Sequence, residues 1–369
     1  MLIERADYLS AAVAYNTTTD EAQGRPSSHA SHDRTGESSR PALDQLRSRP
    51  GLRRNGGASY KAAATDPAPT VVVYHHLSST RHKLTDELGI STDPDTFRRH
   101  VKYFSRNFDL ISPSDLIAGT LPKRPLLITF DDVYRSVLEV GGPILREANV
   151  QSVWFMNPDC LEAETLPLDN LLTLAVDHYG SAGLMRLLCL PGKPPASVPA
   201  LISDYISTLG YGQIATLKAT ICSGLPESQT ELRSRSGLFI NAADLKLLPD
   251  FGIQIGNHSL THSFFRSLTQ AELHIEIDRS RELLERMSGQ PVRCLAIPYG
   301  NELDASEAAL ATARSSGHRA IFLVHGRCNS RRPAPDVFYR ICADRLRPEF
   351  LPISMSILPR LRTLRDRLR

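Results

Sequence analysis

The stretch Pro125-Leu126-Leu127-Ile128-Thr129-Phe130-Asp131-Asp132 is a short, mostly apolar run that ends on two carboxylates. A run of this length and composition predicts a buried strand over residues 125–130. A helix is predicted over residues 137–148, with a break or kink at Gly141-Gly142-Pro143, and a second buried strand over residues 151–156. Strand, helix and strand at this spacing form a βαβ unit, which implies a parallel sheet and an α/β fold.

Outside this unit, strands and helices continue to alternate along the chain. Further strands are predicted over residues 70–76, 252–257, 291–297 and 320–324, and helices over residues 97–108, 114–118, 269–287 and 305–314. From residue 158 to about residue 236 the pattern changes to helices separated by Gly and Pro, over residues 171–179, 184–190 and 198–209. We interpret this segment as a helical insertion in one main domain, residues 70–347.

The two ends of the chain have a different composition from the main domain. Residues 1–69 are mostly polar and rich in Ser, Gly, Arg and Pro, so we expect a disordered N-terminal tail. Residues 348–369 are predicted to form a basic C-terminal tail helix, since five arginines and one aspartate lie between Leu358 and Arg369. Such a helix is either a solvated tail or a peripheral contact with anionic membrane lipids.

Composition limits the classes of function. The hydrophobic fraction of 41% supports a sizeable core, and the net charge of +3 over 369 residues gives no sign of nucleic-acid binding. The six cysteines include no C-x-x-C pair, which argues against a structural zinc site and for a reducing compartment. The charged start predicts no signal peptide, and no run reaches the ~18 apolar residues of a membrane span. We therefore expect a cytoplasmic protein.

Two further motifs follow apolar runs, as Thr129-Phe130-Asp131-Asp132 (the aspartate motif) does. They are His258-Ser259-Leu260-Thr261-His262 (the histidine motif) and Pro298-Tyr299-Gly300 (the Pro-Tyr motif). Imidazoles four residues apart can share one metal ion, and adjacent carboxylates at a strand end can face that metal and its water. Taken alone, the histidines could be surface residues and an aspartate could be a helix N-cap. Their shared position after strands favours a metal-dependent hydrolase.

In this order, the three motifs resemble those of the polysaccharide deacetylases of carbohydrate esterase family four, over about residues 71–340. The resemblance implies a distorted (β/α)7 barrel that binds one divalent metal ion, usually zinc. It implies Asp132, His258 and His262 as the metal ligands. It also implies Asp131 as the general base and the backbone N–H of Tyr299 as the oxyanion donor.

The remaining predicted site residues are a general acid and three substrate contacts. The family's general acid is a histidine in a late Leu-x-His motif, which Leu323-Val324-His325 fits, so His325 is predicted in this role. A buried or loop histidine is the alternative. His75, Pro298 and Tyr299 are the predicted substrate contacts, and a hydrogen-bonded histidine at the barrel end is the alternative for His75.

Two positions depart from the family's pattern. Val133 follows the paired aspartates where the family usually has Gly, and Ala296 stands where many members have an Arg that orients the base. Both departures raise the alternative of impaired activity. Arg340 is predicted to hold a loop closed and not to act in catalysis.

The predicted function is removal of acetyl groups, N-acetyl rather than O-acetyl, from an amino-sugar polysaccharide, oligosaccharide or lipid-linked intermediate. The partner is thus an acetylated carbohydrate, with no nucleic acid. The expected location is the cytoplasm, with membrane association through the basic C-terminus. Two alternatives remain open: a catalytically impaired barrel that binds carbohydrate, and a deacylase acting on a different small amide.

Overall fold

Seven parallel strands close into a barrel at the centre of the fold. The structure, a computed structural model, describes residues 68–162, 165–329 and 336–367. The tail predicted over residues 1–69 therefore lies outside the described residues, except for its last two positions. The strands are β1 (Thr70–Tyr74), β2 (His76–Leu77), β3 (Ser91–Thr92), β4 (Asp109–Leu110), β5 (Pro125–Phe130), β6 (Ser152–Met156), β7 (Ile253–Asn257), β8 (Cys294–Ala296), β9 (Ala320–Val324) and β10 (Val337–Cys342).

The order of strands around the barrel is β1, β10, β9, β8, β7, β6 and β5, and β5 pairs with β1 to close it. All of these pairings are parallel. Strand β4 pairs with β5 as an eighth strand, while β2 and β3 form a separate short pair. The predicted fold class, a (β/α)7 barrel, is confirmed, although β10 was not among the predicted strands.

Helices surround the barrel. They are α1 (Pro94–Asn107), α2 (Pro113–Ala118), α3 (Gly142–Glu147), α4 (Pro158–Glu162), α5 (Leu168–Leu187), α6 (Val198–Asp204), α7 (Tyr211–Gly224), α8 (Gln229–Ser236), α9 (Gln270–His274), α10 (Ser280–Ser288), α11 (Glu307–Ser315) and α12 (Leu351–Arg367). Side-chain caps explain several starts: Asp93 accepts hydrogen bonds at the first turn of α1, and Ser112 and Asp115 form a capping box at α2.

Two of the predicted helices contain a widened turn. The predicted kink at Gly141-Gly142-Pro143 is a π-helical turn over Val137–Gly141 that leads into α3. A second π-helical turn, Ile275–Arg279, joins α9 to α10. The helix predicted over residues 269–287 is therefore present as three consecutive helical segments. Both segments lie outside the barrel, and the second carries a residue that supports the site.

Five helices, α4 to α8, lie between β6 and β7, where the helical insertion was predicted. Helix α5 is broken at Gly180, whose φ of 67° is left-handed, at the boundary predicted from the sequence. Helices α7 and α8 were not predicted. The insertion packs into the same core as the barrel, through buried residues such as Leu171, Leu172, Leu201 and Ile221.

The interior of the barrel is filled by side chains that alternate along the strands. Phe155 of β6 meets Phe322 of β9 at a ring-centroid distance of 5.2 Å, and Phe322 meets Phe338 of β10 at 5.6 Å. Because β7 and β8 separate β6 from β9 in the sheet, the first contact crosses the interior. Arg340 follows Phe338 by two residues and therefore also points inward.

Within the described residues, no helix is both long and apolar enough to cross a membrane.

Candidate active site

The predicted site residues meet at the carboxyl ends of the barrel strands. The pairing of β1 with β5 places Tyr74 opposite Phe130, so the next residues, His75 and Asp131, leave the barrel side by side. The pairing of β6 with β7 ends at Asn257, directly before the histidine motif. This edge is where barrel enzymes carry their active sites.

Asp131 is a buried carboxylate that is held by Arg340 of β10. Both guanidinium nitrogens donate to it, Nη1 to Oδ1 at 2.6 Å and Nη2 to Oδ2 at 2.7 Å. Nη1 also donates to the Thr129 hydroxyl at 3.2 Å. Burial opposes ionisation, but the charge of Arg340 and the imidazoles of His258 and His75 outweigh it and lower the pKa of Asp131 to about 2. The carboxylate is therefore ionised and fixed in direction.

This ion pair corrects the interpretation of Arg340 as a loop-closing residue. Arg340 is fully buried and donates hydrogen bonds to both carboxylate oxygens of Asp131, the predicted base. Ala296, where the family resemblance places the orienting arginine, offers its carbonyl to His258 instead. The orienting arginine of this chain thus comes from a different strand.

Asp132, His258 and His262 converge as the sequence predicted. Their ligand atoms all lie within 4.8 Å of one another. Asp132 Oδ1 is 3.9 Å from His258 Nε2 and 3.7 Å from His262 Nε2. Ligands at 2.0–2.2 Å in a tetrahedral zinc site are ~3.4 Å apart. A contraction of a few tenths of an ångström would therefore bring Asp132 Oδ1 to that separation from each of the two imidazole nitrogens.

The chemistry of the donors also fits a metal. His258 Nδ1 is 2.8 Å from the carbonyl oxygen of Ala296, an acceptor that keeps the proton on Nδ1 and leaves the Nε2 lone pair facing Asp132. Burial lowers the pKa of His258 to about 3, so the ring is neutral, as a metal ligand must be. Burial raises the pKa of Asp132, and the opposing influence of His262 and His75 is the smaller one.

The histidine motif is held in place by a buried hydrogen-bond network. Thr261 donates its N–H and its hydroxyl to the two oxygens of Glu276, at 3.0 and 2.7 Å. Ser259 N–H donates to the Asn257 side chain, and the His262 N–H donates to the Ser259 hydroxyl. Glu276, in the second π-helical turn, is fully buried. Ser259 and Thr261, which lie between the two histidines, thus stabilise the loop that positions both imidazoles.

Backbone strain is concentrated at this site. Of the six non-glycine residues with positive φ among the described residues, four belong to it: Asp132 (66°), Ser259 (65°), His262 (62°) and Tyr299 (59°). Such conformations cost of order 1–3 kcal/mol each and persist where function requires them. Val133, where the family usually has Gly, does not have positive φ and is fully buried. The left-handed position is Asp132, so the lack of glycine at residue 133 creates no strain.

His75 lies closer to the predicted base than its assignment as a substrate contact implied. Its Nε2 is 4.0 Å from Asp131 Oδ2, and its Nδ1 is 2.7 Å from Asp344 Oδ2. Asp344 also accepts the His75 backbone N–H at 3.0 Å. Burial opposes protonation, but the Asp344 carboxylate outweighs it and raises the pKa of His75 to about 9. His75 is therefore a protonated imidazole oriented toward the base.

His325, predicted as the general acid, contacts a residue on the outer side of the barrel. Its ring packs edge-on against Tyr339, with the ring centroids 6.1 Å apart. Tyr339 adjoins Arg340 on β10 and so points to the opposite, outer face of the barrel. There the Tyr339 hydroxyl donates to Glu302. The Leu-x-His letters match the family, but the strand directs this histidine away from Asp131.

The helical insertion reaches the site through Asp169, in the first turn of α5. Asp169 Oδ1 accepts the Tyr299 hydroxyl at 2.9 Å, and Oδ2 is 3.8 Å from His262 Nδ1. Tyr299 stacks on Phe264 with a centroid distance of 3.7 Å and lies 4.6 Å from the His262 ring. Pro298 and Tyr299 are both buried, so they form a wall of the site and not an exposed platform. The oxyanion role of the Tyr299 amide stays a prediction.

Three site residues were missed or misjudged from the sequence: Arg340, Asp344 and Asp169. The stretch Val337-Phe338-Tyr339-Arg340-Ile341 is rich in β-branched and aromatic residues, which is typical of a strand, and a strand would have placed Arg340 and Asp344 near the barrel end. No comparable signal points to Asp169, because its position depends on how the insertion packs.

Residues 216–321 match the family described as Polysaccharide deacetylase, which supports the family predicted from the motifs. The matched segment contains the histidine and Pro-Tyr motifs but not the aspartate motif. No curated protein matches the chain.

Solved structures confirm the fold. The Streptococcus pyogenes deacetylase PplD in complex with acetate is 13% identical, with a TM-score of 0.53 over 79% of this chain and 99% of that one. A polysaccharide deacetylase from Bacillus cereus is also 13% identical, with a TM-score of 0.51 over 79% of this chain and 70% of that one. At these identities the likeness concerns the fold alone.

Proposed function

We propose that this chain, a member of the polysaccharide deacetylase family, is a metal-dependent hydrolase that removes acetyl groups from an amino-sugar polymer, oligosaccharide or lipid-linked sugar. N-acetyl groups are the preferred substrate class. The observation that carries the proposal is the arrangement around Asp131. This ionised carboxylate lies 3.7 Å from a candidate metal ligand, His258, and 4.0 Å from a protonated imidazole, His75.

The donor set supports a divalent ion such as zinc. Two imidazoles and one carboxylate are the ligands of many catalytic zinc sites, which keep a further position open for water or substrate. Asp132, His258 and His262 supply this set here. An ion held by them would polarise the acyl carbonyl and make water a better nucleophile at neutral pH.

In this proposal Asp131 accepts the proton of the attacking water. The two hydrogen bonds from the Arg340 guanidinium hold the Asp131 carboxylate in one orientation. Such preorganisation lowers the free energy needed to reach the transition state. Its pKa of about 2 keeps it ionised throughout the neutral range. It is a weak base on its own, so the proposal requires the water to be made more acidic by the bound ion.

His75 donates the proton that the leaving amine needs. With a pKa of about 9 it carries that proton at neutral pH, and Asp344 on Nδ1 directs Nε2 into the site. An acid and a base with pKa values pushed apart by their surroundings are the pattern expected for acid–base catalysis. His75 thus takes the role that the family resemblance had assigned to His325.

Metal content tests the proposal first, because it requires no knowledge of the substrate. We expect about one divalent ion per wild-type chain, lost in His258→Ala. The matched control is His178→Ala, an exposed histidine on α5, which should keep the ion. A folded wild-type chain that takes up no ion after incubation with zinc would overturn the proposal.

Acetate release is the second measurement. The metal-loaded protein is incubated with oligomers of N-acetylglucosamine, with O-acetylated sugars and with small non-sugar amides. We expect release from the first class, and a loss of release in Asp131→Asn with the ion retained. Acetate release from the small amides alone would favour the alternative function, a deacylase that acts on a different small amide.

The carbohydrate-binding alternative loses the observations that motivated it. Arg340 replaces the arginine absent at Ala296, His75 offers the acid, and Val133 carries no strained φ. Binding of sugar without acetate release by the metal-loaded protein would restore that alternative.

A further inference from the structure

Exposed apolar side chains are concentrated on the C-terminal helix α12. Of the ten large hydrophobic residues that are exposed among the described residues, six lie between residues 350 and 364. Four of them define a row that we call the α12 stripe: Ile353, Ile357, Leu361 and Leu364, which are 44%, 50%, 56% and 55% exposed. Scattered single exposures are ordinary, but a row on one helix indicates a contact surface.

The spacing of the α12 stripe makes it one face of the helix. Since successive residues turn by about 100°, Ile353, Ile357, Leu361 and Leu364 fall within an arc of roughly 80°. The far side of α12 holds it on the protein: Leu351 is fully buried and Met355 is 7% exposed. The helix is therefore already anchored by another face, and the stripe remains directed outward.

Arginines lie on both sides of the stripe. By the same geometry, Arg360 lies roughly 20° beyond one edge and Arg365 roughly 40° beyond the other. Residues 345–365 contain five arginines and one glutamate, Glu349. An apolar ridge between cationic residues is the pattern of helices that lie in the interface of an anionic bilayer, where arginine stems stay apolar and their head groups meet lipid phosphates.

We propose that α12 docks this chain on an anionic lipid surface. A second copy of the chain fits less well, because pairing two stripes would bring two sets of arginines together. The stripe is exposed along one face of the helix, which suits a planar interface, and the 17 residues of α12 include too many arginines to cross a bilayer. The proposal goes beyond the proposed hydrolysis and does not depend on it.

The experiment uses the full chain and vesicles, with no sugar present. Flotation with vesicles of phosphatidylcholine and phosphatidylglycerol should capture the wild type, and vesicles of phosphatidylcholine alone should capture much less. Higher salt should weaken the binding, because screening reduces the attraction. Equal binding to both kinds of vesicle, or binding to neither, would overturn the proposal.

Paired leucine variants test the stripe. Leu361→Gln with Leu364→Gln should weaken the partition constant at least tenfold. The matched control, Leu303→Gln with Leu247→Gln, changes two exposed leucines elsewhere and should bind as the wild type does. All four side chains are exposed, so both variants should fold, which circular dichroism and metal content check. An equal loss in the two variants would contradict a specific role for α12.

Arginine variants test the charge. Arg360→Gln with Arg365→Gln should weaken the partition constant about 30-fold, since each arginine near such a surface contributes about fivefold. Arg293→Gln with Arg319→Gln, two exposed arginines elsewhere, is the control and should have little effect. Light scattering supplies the last outcome. If the wild type does not bind vesicles but forms a dimer, and the leucine variant dissociates that dimer, the stripe binds a second copy of the chain. That result would refute the lipid proposal.

Discussion

Replacement of Arg340 by methionine should destabilise the protein and disable its base at the same time. Arg340→Met removes three hydrogen bonds, two to Asp131 and one to Thr129, and leaves a carboxylate that is 2% exposed without its main partner. Breaking a buried ion pair in this way costs about 3–5 kcal/mol. His75, 4.0 Å away, remains as a partial counter-charge, so we expect the lower end, about 3 kcal/mol. For a chain of this size that lowers Tm by roughly 4 °C.

A double-mutant cycle on metal-free protein measures the pair itself. The four proteins are wild type, Arg340→Met, Asp131→Asn and the double variant, each unfolded in urea. The double variant should lose much less stability than the sum of the single variants, because it leaves no uncompensated buried charge. The expected coupling is about 3 kcal/mol.

The matched control is a second two-pronged pair, Arg314 with Asp336, in which Nη2 lies 2.9 Å from Oδ1. Its side chains are 50% and 29% exposed, so the same cycle there should give less than about 1 kcal/mol. A coupling below about 1 kcal/mol for Arg340 and Asp131 as well would refute the reasoning, because burial would then not strengthen the pair.

Three further predictions concern other residues of the site and core. Asp344→Asn should move the alkaline limb of the pH–rate profile to lower pH, because it removes the carboxylate that raises the pKa of His75 from 6.5 to about 9, above which the acid loses its proton. Asp169→Asn should weaken metal affinity about 10-fold in a competition titration, because the carboxylate that faces Nδ1 of His262 helps to orient that ligand. Burial lowers the pKa of His318 to about 4, so this ring stabilises the fold above pH 6.5 and less as pH falls toward 4; urea unfolding of His318→Asn should show a smaller acid-induced loss.

Each of these predictions has a result that would contradict it. An alkaline limb that stays in place in Asp344→Asn would remove His75 from the proton transfer. For Asp169 the control is Asp177→Asn on the same helix, which is 49% exposed and bound to Lys83; equal metal loss in both would indicate a general effect on α5. Unchanged acid sensitivity in His318→Asn would assign the acid-induced loss to other groups.

The sequence predicted those parts of the fold whose signals are local. Apolar runs marked β5 and β9 at their observed bounds, and Thr269 with Glu272 marked a helix start that the structure contains as a capping box. The residues of the candidate metal site were also predictable, because the spacing within the histidine motif and its place after a strand are local features. The convergence of these residues then follows from the closure of a parallel sheet.

Contacts between distant segments could not be predicted in the same way. Arg340 meets Asp131 across 209 positions, and Asp344 meets His75 across 269. Ala296 and His325 show that a local motif can also mislead. Ala296 breaks the family's motif, yet Arg340 supplies the missing arginine. His325 matches the family's motif, yet its ring packs against Tyr339. A motif specifies which groups are near one strand end, whereas the orientation of the base depends on which strand closes the barrel.

That closing strand, β10, controls both halves of the proposed acid–base pair. Val73 of β1 lies opposite Cys342, and the Ala343 N–H donates to the Val73 carbonyl at 2.9 Å. This register turns Arg340 inward to Asp131 and carries Asp344 to His75. A slip by one residue would turn Arg340 outward and bring Tyr339 in. The register of one strand thus orients the proposed base and acid together, so a change that disturbs it should abolish catalysis while the three candidate metal ligands, which follow β5 and β7, stay in place.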